Sequence, residues 1–139
     1  MSYVKNPNVQ LWTVQVFLAL FFALGSGLPK LLLPPEVLAA NMPIALPREF
    51  VLFIGTCEIL GALGLILPGI TRVGTKLTPL AAGCLALLTL CATTYQLLAH
   101  QPESAIFAVV MGLICSFVAY GRWRRAPLAE RTARWLALA

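Results

Sequence analysis

Residues 50–68 have the sequence FVLFIGTCEILGALGLILP, an apolar run with one charged residue, Glu58, near its middle. An apolar helix of about 20 residues is long enough to cross the hydrocarbon core of a bilayer. A strand of a membrane barrel would instead alternate apolar and polar side chains. We therefore predict that residues 50–68 form a membrane-spanning helix with a carboxyl group inside it.

Three further segments have the same apolar character, and they cover residues 9–28, 77–99 and 104–121. Because a chain in lipid must satisfy its backbone hydrogen bonds internally, we expect all four segments to be helices. The predicted fold class is all-α, a polytopic membrane four-helix bundle in which residues 1–139 form a single membrane domain.

The composition agrees with a chain that lies mostly in lipid, since 60% of the 139 residues are hydrophobic and 11% are charged. A soluble domain carries about 25% charged residues. The net charge is +5, and five of the ten basic residues follow the last apolar segment: Arg122, Arg124, Arg125, Arg131 and Arg134. Such clustering is typical of positive-inside insertion and of contact with anionic headgroups, so the bilayer is the expected partner and nucleic acid is not.

The distribution of Lys and Arg also predicts the orientation of the chain. If both termini are cytoplasmic, the cytoplasmic side carries Lys5, Arg72, Lys76 and the five arginines of a basic tail at residues 122–139, whereas the outer side carries Lys30 and Arg48. This asymmetry predicts a multi-pass protein of the inner (plasma) membrane with both termini inside. Trp12 and Trp123 are expected at the membrane interface.

The link between the first two spans, residues 29–49, contains five prolines around the stretch EVLAANM at residues 36–42. Pro35 is suited to the first turn of a helix. The stretch therefore predicts either a short helix at the membrane interface or an irregular prolyl loop.

Glu58 is not expected to face lipid, because an ionised carboxylate in contact with lipid would raise the free energy by several kcal/mol. Small residues flank Glu58 at helical spacing in span two: Gly55, Gly61 and Ala62. Span one has a similar strip: Ala19, Ala23 and Gly27. Small residues let helix backbones approach closely in membranes, so we predict close packing of spans one and two.

Two roles are open for Glu58. It is either a carboxyl group that fixes helix packing through hydrogen bonds to Thr, Gln or Tyr, or a group that handles protons or orients a ligand. Lys30 is its expected ionic partner, because the long Lys side chain reaches back from the outer end of span one.

A second polar cluster lies near the outer end of span three, at Thr93, Thr94, Tyr95 and Gln96, with His100 at the exit. We predict that Glu58, Lys30, Tyr95, Gln96 and His100 bind the oxygen-bearing head group of a ligand such as a quinone or a sterol. The alternative is ordinary interhelical hydrogen bonding with an exposed interfacial histidine.

Redox and metal chemistry within the chain itself is not expected. The four cysteines, Cys57, Cys84, Cys91 and Cys115, lie within spans and form no C-x-x-C pair, so we interpret them as small packing residues. A single histidine cannot supply two imidazole ligands to a haem, and no metal-binding motif is present. We expect no intrinsic cofactor, and any redox cofactor to be a diffusible quinone or to belong to a partner.

Three stretches occur in an order that resembles a known family: GSGLPKL at residues 25–31, EILGALGLILP at residues 58–68 and VAYGRWR at residues 118–124. They are similar to the glycine-then-lysine motif, the acidic glycine-rich second span and the end of span four in the DoxX-like family of small four-helix membrane proteins. Many relatives carry a histidine late in span three. This chain has Tyr95 near that position, and its own histidine, His100, comes five residues later. The resemblance implies the fold; some relatives are subunits of quinone-linked sulfur oxidation, and others associate with oxidant defence.

Two functions follow from these observations. The first is a membrane subunit that binds a quinone or a similar prenyl or sterol-like lipid and supports a redox partner. The second is a non-catalytic structural subunit or assembly factor, with a membrane protein partner or a second copy of the chain. A small oligomeric channel or transporter is a weaker third interpretation, because no inverted repeat is visible. Whether the chain is an enzyme, and which residues would be catalytic, is left open by the sequence.

Overall fold

The structure, a computed structural model, describes residues 6–129. It contains four long helices and one short helix: α1 (Pro7–Leu32), α2 (Pro35–Ala40), α3 (Arg48–Thr71), α4 (Leu77–Leu98) and α5 (Pro102–Arg125). The long helices have mean hydropathies of 1.7 to 2.3 and are long enough to cross a membrane. No strand occurs in the described residues. The predicted all-α fold with four spans is confirmed.

The helix ends follow local sequence signals. The Asn6 side chain caps α1 by accepting a hydrogen bond of 3.0 Å from the Asn8 amide, and α1, α2 and α5 begin with a proline in the first turn. The α3 helix ends at Arg72, which has a left-handed conformation with φ of 58°. The helix at Pro35–Ala40 decides between the two alternatives for the first link in favour of a short helix.

Two predicted boundaries need correction. The α1 helix continues to Leu32, so Lys30 lies on the helix and not in the outer link. At the other end of the chain, α5 continues to Arg125, so Arg122 is a buried helical residue with 2% exposure and not part of a solvated tail. Residues 126–129 of the predicted tail follow α5, and residues 130–139 and Lys5 lie outside the described residues.

Short links at residues 72–76 and 99–101 make α3, α4 and α5 antiparallel neighbours. The start of α1, the end of α3, the start of α4 and the end of α5 consequently meet at one end of the bundle. We call this the basic end, because Arg72, Lys76, Arg122, Arg124 and Arg125 lie there. Lys30, α2 and Tyr95 lie at or towards the opposite end.

The core runs along the bundle axis and takes side chains from every long helix. Its buried members are Leu11, Leu18 and Phe22 of α1, Ala62 and Leu65 of α3, Ala82 and Leu85 of α4, and Met111, Cys115 and Val118 of α5. The outward faces are also apolar, for example Phe53 and Leu113, which are 62% and 65% exposed. An apolar exterior around an apolar core is the pattern expected of a protein whose solvent is lipid.

The predicted close packing of spans one and two is confirmed at one pair of glycines. A Cβ atom at Gly27 would lie 2.8 Å from the Phe22 carbonyl oxygen and 3.1 Å from that of Gly55. A Cβ atom at Gly55 would lie 2.9 Å from the Lys30 Cβ. The prediction was wrong for Gly61, which packs against Leu85 of α4 and not against α1.

Two stretches of π-helix interrupt the regular geometry, Phe21–Gly27 within α1 and Gly121–Arg125 at the end of α5. In the first, the Leu28 amide donates to the Ala23 carbonyl; in the second, the Ala126 amide donates to the Gly121 carbonyl, five residues back in each case. Such turns are rare and often occur at functional sites. Each stretch is adjacent to a buried charged group.

Candidate functional site

Lys30 and Glu58 form an ion pair inside the bundle, as predicted. Lys30 Nζ donates to Glu58 Oε2 at 2.7 Å, which joins α1 to α3. The Glu58 side chain is 9% exposed and that of Lys30 is 24% exposed. The Glu58 side chain is therefore nearly enclosed, whereas part of the Lys30 side chain reaches the bundle surface.

Ser26 completes the site, and the sequence analysis missed it. Its Oγ donates to Glu58 Oε1 at 3.0 Å and accepts a hydrogen bond from Lys30 Nζ at 2.5 Å. Residues four apart on a helix lie on the same face, so the spacing of Ser26 and Lys30 carried a signal for this contact. We call Ser26, Lys30 and Glu58 the charged triad.

The local backbone explains why these three side chains meet. Ser26 lies in the π-helical stretch, and Gly27 and Gly55 let α1 and α3 approach until their backbones touch. At this distance a Lys side chain on α1 reaches a carboxylate on α3 without leaving the helix interface. In a medium of low dielectric constant the opposite charges and the serine hydroxyl satisfy one another.

The charged triad offers both kinds of polar contact that an oxygen-bearing ligand needs. The Lys30 ammonium donates to a carbonyl oxygen, and the Glu58 carboxylate accepts from a hydroxyl group. The serine hydroxyl does either. The arrangement can therefore bind a carbonyl compound or the corresponding alcohol.

The structure places Tyr95 and His100 away from the charged triad. Tyr95 Oη donates to the Ile44 carbonyl at 2.6 Å and accepts from the Ile44 amide at 3.1 Å, so it ties the first link to α4. His100 is exposed and has a left-handed φ of 56° in the link before α5. Their role in ligand binding stays a prediction.

Gln96 lies at the same level as Tyr95, and its Oε1 is buried without a hydrogen-bond partner. Gly61 of α3 packs against Leu85 of α4, and the two helices are antiparallel. Gln96 lies 11 residues beyond Leu85 on α4, whereas Glu58 lies 3 residues beyond Gly61 on α3, both counted towards the outer end. At a helical rise of 1.5 Å per residue, Gln96 is therefore about 12 Å nearer that end than Glu58. The five predicted ligand residues therefore form two groups at different depths, Lys30 with Glu58, and Tyr95, Gln96 and His100 nearer the end.

A cavity of about 150 Å³ lies between the outer link with α2 and the start of α3, lined by Pro35, Leu38, Ala39, Met42, Ala45, Leu46, Arg48 and Val51. Val51 and Glu58 are seven residues apart and so lie on the same face of α3. The cavity is consequently about 10 Å further along α3 than the charged triad. Its lining is mostly apolar, with Arg48 as the charged member.

The cysteines are free thiols with different surroundings. Cys115 is buried in the core and Cys57 is half-buried, but Cys84 and Cys91 are exposed on α4. The packing interpretation therefore holds for Cys115 and not for the two α4 thiols. Within residues 6–129, no group of three His, Cys, Asp or Glu side chains is close enough to hold a metal ion.

Comparison with known proteins identifies one family. A family model described as the DoxX-like family matches residues 13–118. The matched range contains the charged triad and the cavity, and it excludes Asn8, Trp12 and Arg122. No curated protein and no solved structure matches the chain.

Proposed function

The chain belongs to the DoxX-like family of membrane proteins, and from this premise we propose that it binds a quinone or a similar prenyl or sterol-like lipid. In this proposal it is a subunit of the inner (plasma) membrane that supports a redox partner. The charged triad orients the polar head of the ligand. The observation that carries the proposal is an ion pair inside an apolar bundle in which the lysine side chain is partly exposed.

The energetics of the charged triad favour a role beyond folding. Replacing a buried ion pair by apolar side chains of similar volume is often neutral or stabilising, so packing alone does not require these charges. Ionisable groups inside membrane spans usually mark ligand or proton pathways. The π-helical stretch that carries Ser26 agrees with this role, because such stretches are frequent at functional sites.

The geometry suits a ligand with a small polar head and a long apolar tail. Lys30 Nζ would donate to a head-group carbonyl, and Glu58 would accept from the hydroxyl of the reduced form. The cavity between α2 and α3 lies towards the end of the bundle at which a ring would enter, and Gln96 offers an unpartnered acceptor at that level. The tail would lie along the apolar outer faces of the helices.

The test is native mass spectrometry on the protein extracted gently from its host membrane. We expect a retained mass of quinone or sterol size in the native protein and in Glu103→Gln, an acidic residue in the first turn of α5 that serves as the matched control. The mass should be lost in Glu58→Gln. Since that variant leaves Lys30 without its counter-charge, a second variant combines Glu58→Gln with Lys30→Met. Full ligand retention in the folded double variant would remove the charged triad from the site.

One observation favours the second candidate, a structural subunit or assembly factor. Gly83 lies on the exposed face of α4, and a Cβ atom there would meet nothing within 4 Å. Small residues on a lipid-facing surface are typical of helix–helix contacts with a partner. In this case native mass spectrometry would show a multi-protein assembly without a small ligand, and Gly83→Leu would dissociate it. A chain that stays monomeric in both its native form and the variant would contradict this candidate.

A further inference from the structure

Arg122 is a buried cation at the basic end of the bundle. It is 2% exposed, and its side chain crosses from α5 to α1. Arg122 Nε donates to Gln15 Oε1, and Nη1 donates to Asn8 Oδ1 at 2.6 Å and to the Ala126 carbonyl at 3.1 Å. The ring of Trp12 lies 5.4 Å from the Arg122 Cζ. All of these partners are neutral.

The network holds the guanidinium in one place. Gln15 is fully buried, and its Nε2 donates to the Leu65 carbonyl of α3 at 2.6 Å, so its Oε1 is fixed towards Arg122. Trp12 packs so closely on α3 that a Cβ atom at Gly69 would lie 2.5 Å from the ring. The donor set of Arg122 is therefore pre-organised by α1 and α3.

One donor of this set is unused. Arg122 Nη2 is buried and has no hydrogen-bond partner. The acidic side chains of residues 6–129 do not compensate the charge: Glu58 pairs with Lys30, and Glu36, Glu49 and Glu103 lie at the opposite end of the bundle. A buried charge without a counter-charge is strongly unfavourable, so the site favours an anion. The planar guanidinium group matches the geometry of phosphate oxygens.

We propose that Arg122 anchors a binding site for a phosphoryl oxyanion, supplied by the headgroup of an anionic phospholipid. Nη2 is the donor that the oxyanion would use. Arg124 and Arg125 are exposed one turn away or less, and Lys76 lies at the same end, so the field around the site attracts anions. The site lies at the end of a helix that is long and apolar enough to cross a membrane, where lipid headgroups are expected.

A short piece of chain follows Arg122 at this end of the bundle, and its Ala126 carbonyl accepts a hydrogen bond from Arg122 Nη1. Residues 126–129 follow α5 without helix or strand, and Leu128 lies against Gly69. A headgroup oxyanion that reached Nη2 would form a charge-assisted hydrogen bond with it. Asn8, whose amide oxygen already contacts Nη1, is exposed at the same surface.

This site is independent of the charged triad and of the family match. It lies at the other end of the bundle, and Asn8, Trp12 and Arg122 are outside residues 13–118. A free phosphate or a soluble phosphate ester has the same chemistry as the headgroup. The experiment therefore uses phosphatidylglycerol, phosphatidylcholine and inorganic phosphate as separate probes.

The experiment measures lipid binding to the purified full chain in detergent by native mass spectrometry, with thermal stability as a second readout. We expect about tenfold tighter binding of phosphatidylglycerol than of phosphatidylcholine, in line with one charge-assisted hydrogen bond to a buried cation. Arg122→Gln should abolish this preference, whereas the control Arg124→Gln, which removes one exposed charge from the surrounding field, should keep most of it. Stabilisation by millimolar inorganic phosphate in place of phosphatidylglycerol would overturn the lipid as the source of the oxyanion.

Two further variants keep the proposal open to refutation. If Arg122→Gln does not fold, Arg122→Lys keeps the charge but loses the forked donors, and it should reduce the preference severalfold; an unchanged preference would overturn the role of Nη2.

Glu130, the next acidic residue in the sequence, lies outside the described residues. If Glu130→Gln destabilises the protein as much as Arg122→Gln and phosphatidylglycerol gives no preference, the counter-charge is internal and the proposal is wrong. Equal losses of the phosphatidylglycerol preference in Arg122→Gln and Arg124→Gln would show that the preference comes from general surface charge and not from Arg122.

Discussion

The two buried charged side chains of the described structure, Glu58 and Arg122, have opposite surroundings. Glu58 has a cation and a hydroxyl group within hydrogen-bonding distance, so its charge is balanced inside the bundle. Arg122 has an amide oxygen on Gln15, another on Asn8 and a backbone carbonyl, so its hydrogen bonds are largely satisfied but its charge is not. Removing either Glu58 or Lys30 therefore leaves an unpaired charge inside the bundle. At Arg122 the uncompensated positive charge favours binding of an external anion.

At Glu58 we predict a strong coupling with Lys30. Glu58→Gln or Lys30→Met alone should lower the free energy of unfolding by about 2 kcal/mol, less than for a fully enclosed pair because Lys30 is partly exposed. The double variant should lie within about 1 kcal/mol of the native protein, since no charge is left unpaired. Unfolding in mixed micelles with increasing denaturing detergent measures all four proteins. Additive losses would contradict an energetically coupled pair.

The residue-level outcome shows what a single sequence can reveal about a membrane site. Glu58 and Lys30 were predictable because charges near lipid are costly and few, which leaves few possible pairs. Ser26 was missed because a hydroxyl group is tolerated anywhere on a helix. Arg122 was assigned to the tail, since a run of basic residues after an apolar segment does not reveal which of them turns inward to a partner such as Gln15, 107 residues earlier.

At the scale of elements, the glycine pair Gly27 and Gly55 lets the backbones of α1 and α3 approach each other beside the charged triad. We predict that Gly27→Ala lowers the free energy of unfolding by about 2 kcal/mol, because the new methyl group would meet the backbone oxygens of Phe22 and Gly55, which cannot move aside. Gly83→Ala is the matched control, since nothing lies within 4 Å of its Cβ position. It should be neutral or stabilising by up to about 1 kcal/mol. The same detergent titration compares the two, and equal effects would show that close approach at Gly27 is not limiting.

The outer link depends on Tyr95 in a similar way. Tyr95→Phe removes two hydrogen bonds to Ile44, each contributing about 1 kcal/mol to the local closed state. We predict faster amide hydrogen exchange at Ile44 and its neighbours, with little change in the exchange of the four long helices. Tyr120→Phe, at an exposed position of α5, is the control and should leave the exchange of the link unchanged. Uniformly faster exchange in all helices would mean that Tyr95 supports the whole bundle instead of the link.

For the whole molecule, the fold was predictable because the bilayer restricts the options so severely. Long uncharged runs must be helices, and short links force neighbours to be antiparallel. The pairing of particular faces was only partly predictable, as Gly61 shows: a strip of small residues indicates close contact but not which helix provides it. The extension of α1 to Leu32 was missed because Pro29 suggested an end, although a proline at the start of a new helical turn, after a π-helical stretch, is well tolerated.

The remaining property of the whole molecule is its orientation, and we predict that the basic end faces the cytoplasm. Of the seven described Lys and Arg residues, five lie at that end, whereas Lys30 and Arg48 lie at or towards the opposite end. This excess of Lys and Arg at one end is the asymmetry that the positive-inside rule associates with the cytoplasmic side. A fluorescent protein fused after Ala139 should be fluorescent and alkaline phosphatase at the same position inactive, while phosphatase fused after Gln101, beyond three spans, should be active. That outcome would place the Arg122 site in the leaflet whose surface potential is negative and the charged triad towards the outer half. The opposite pattern of reporter activity would contradict the predicted orientation and would move the proposed lipid site to the outer leaflet.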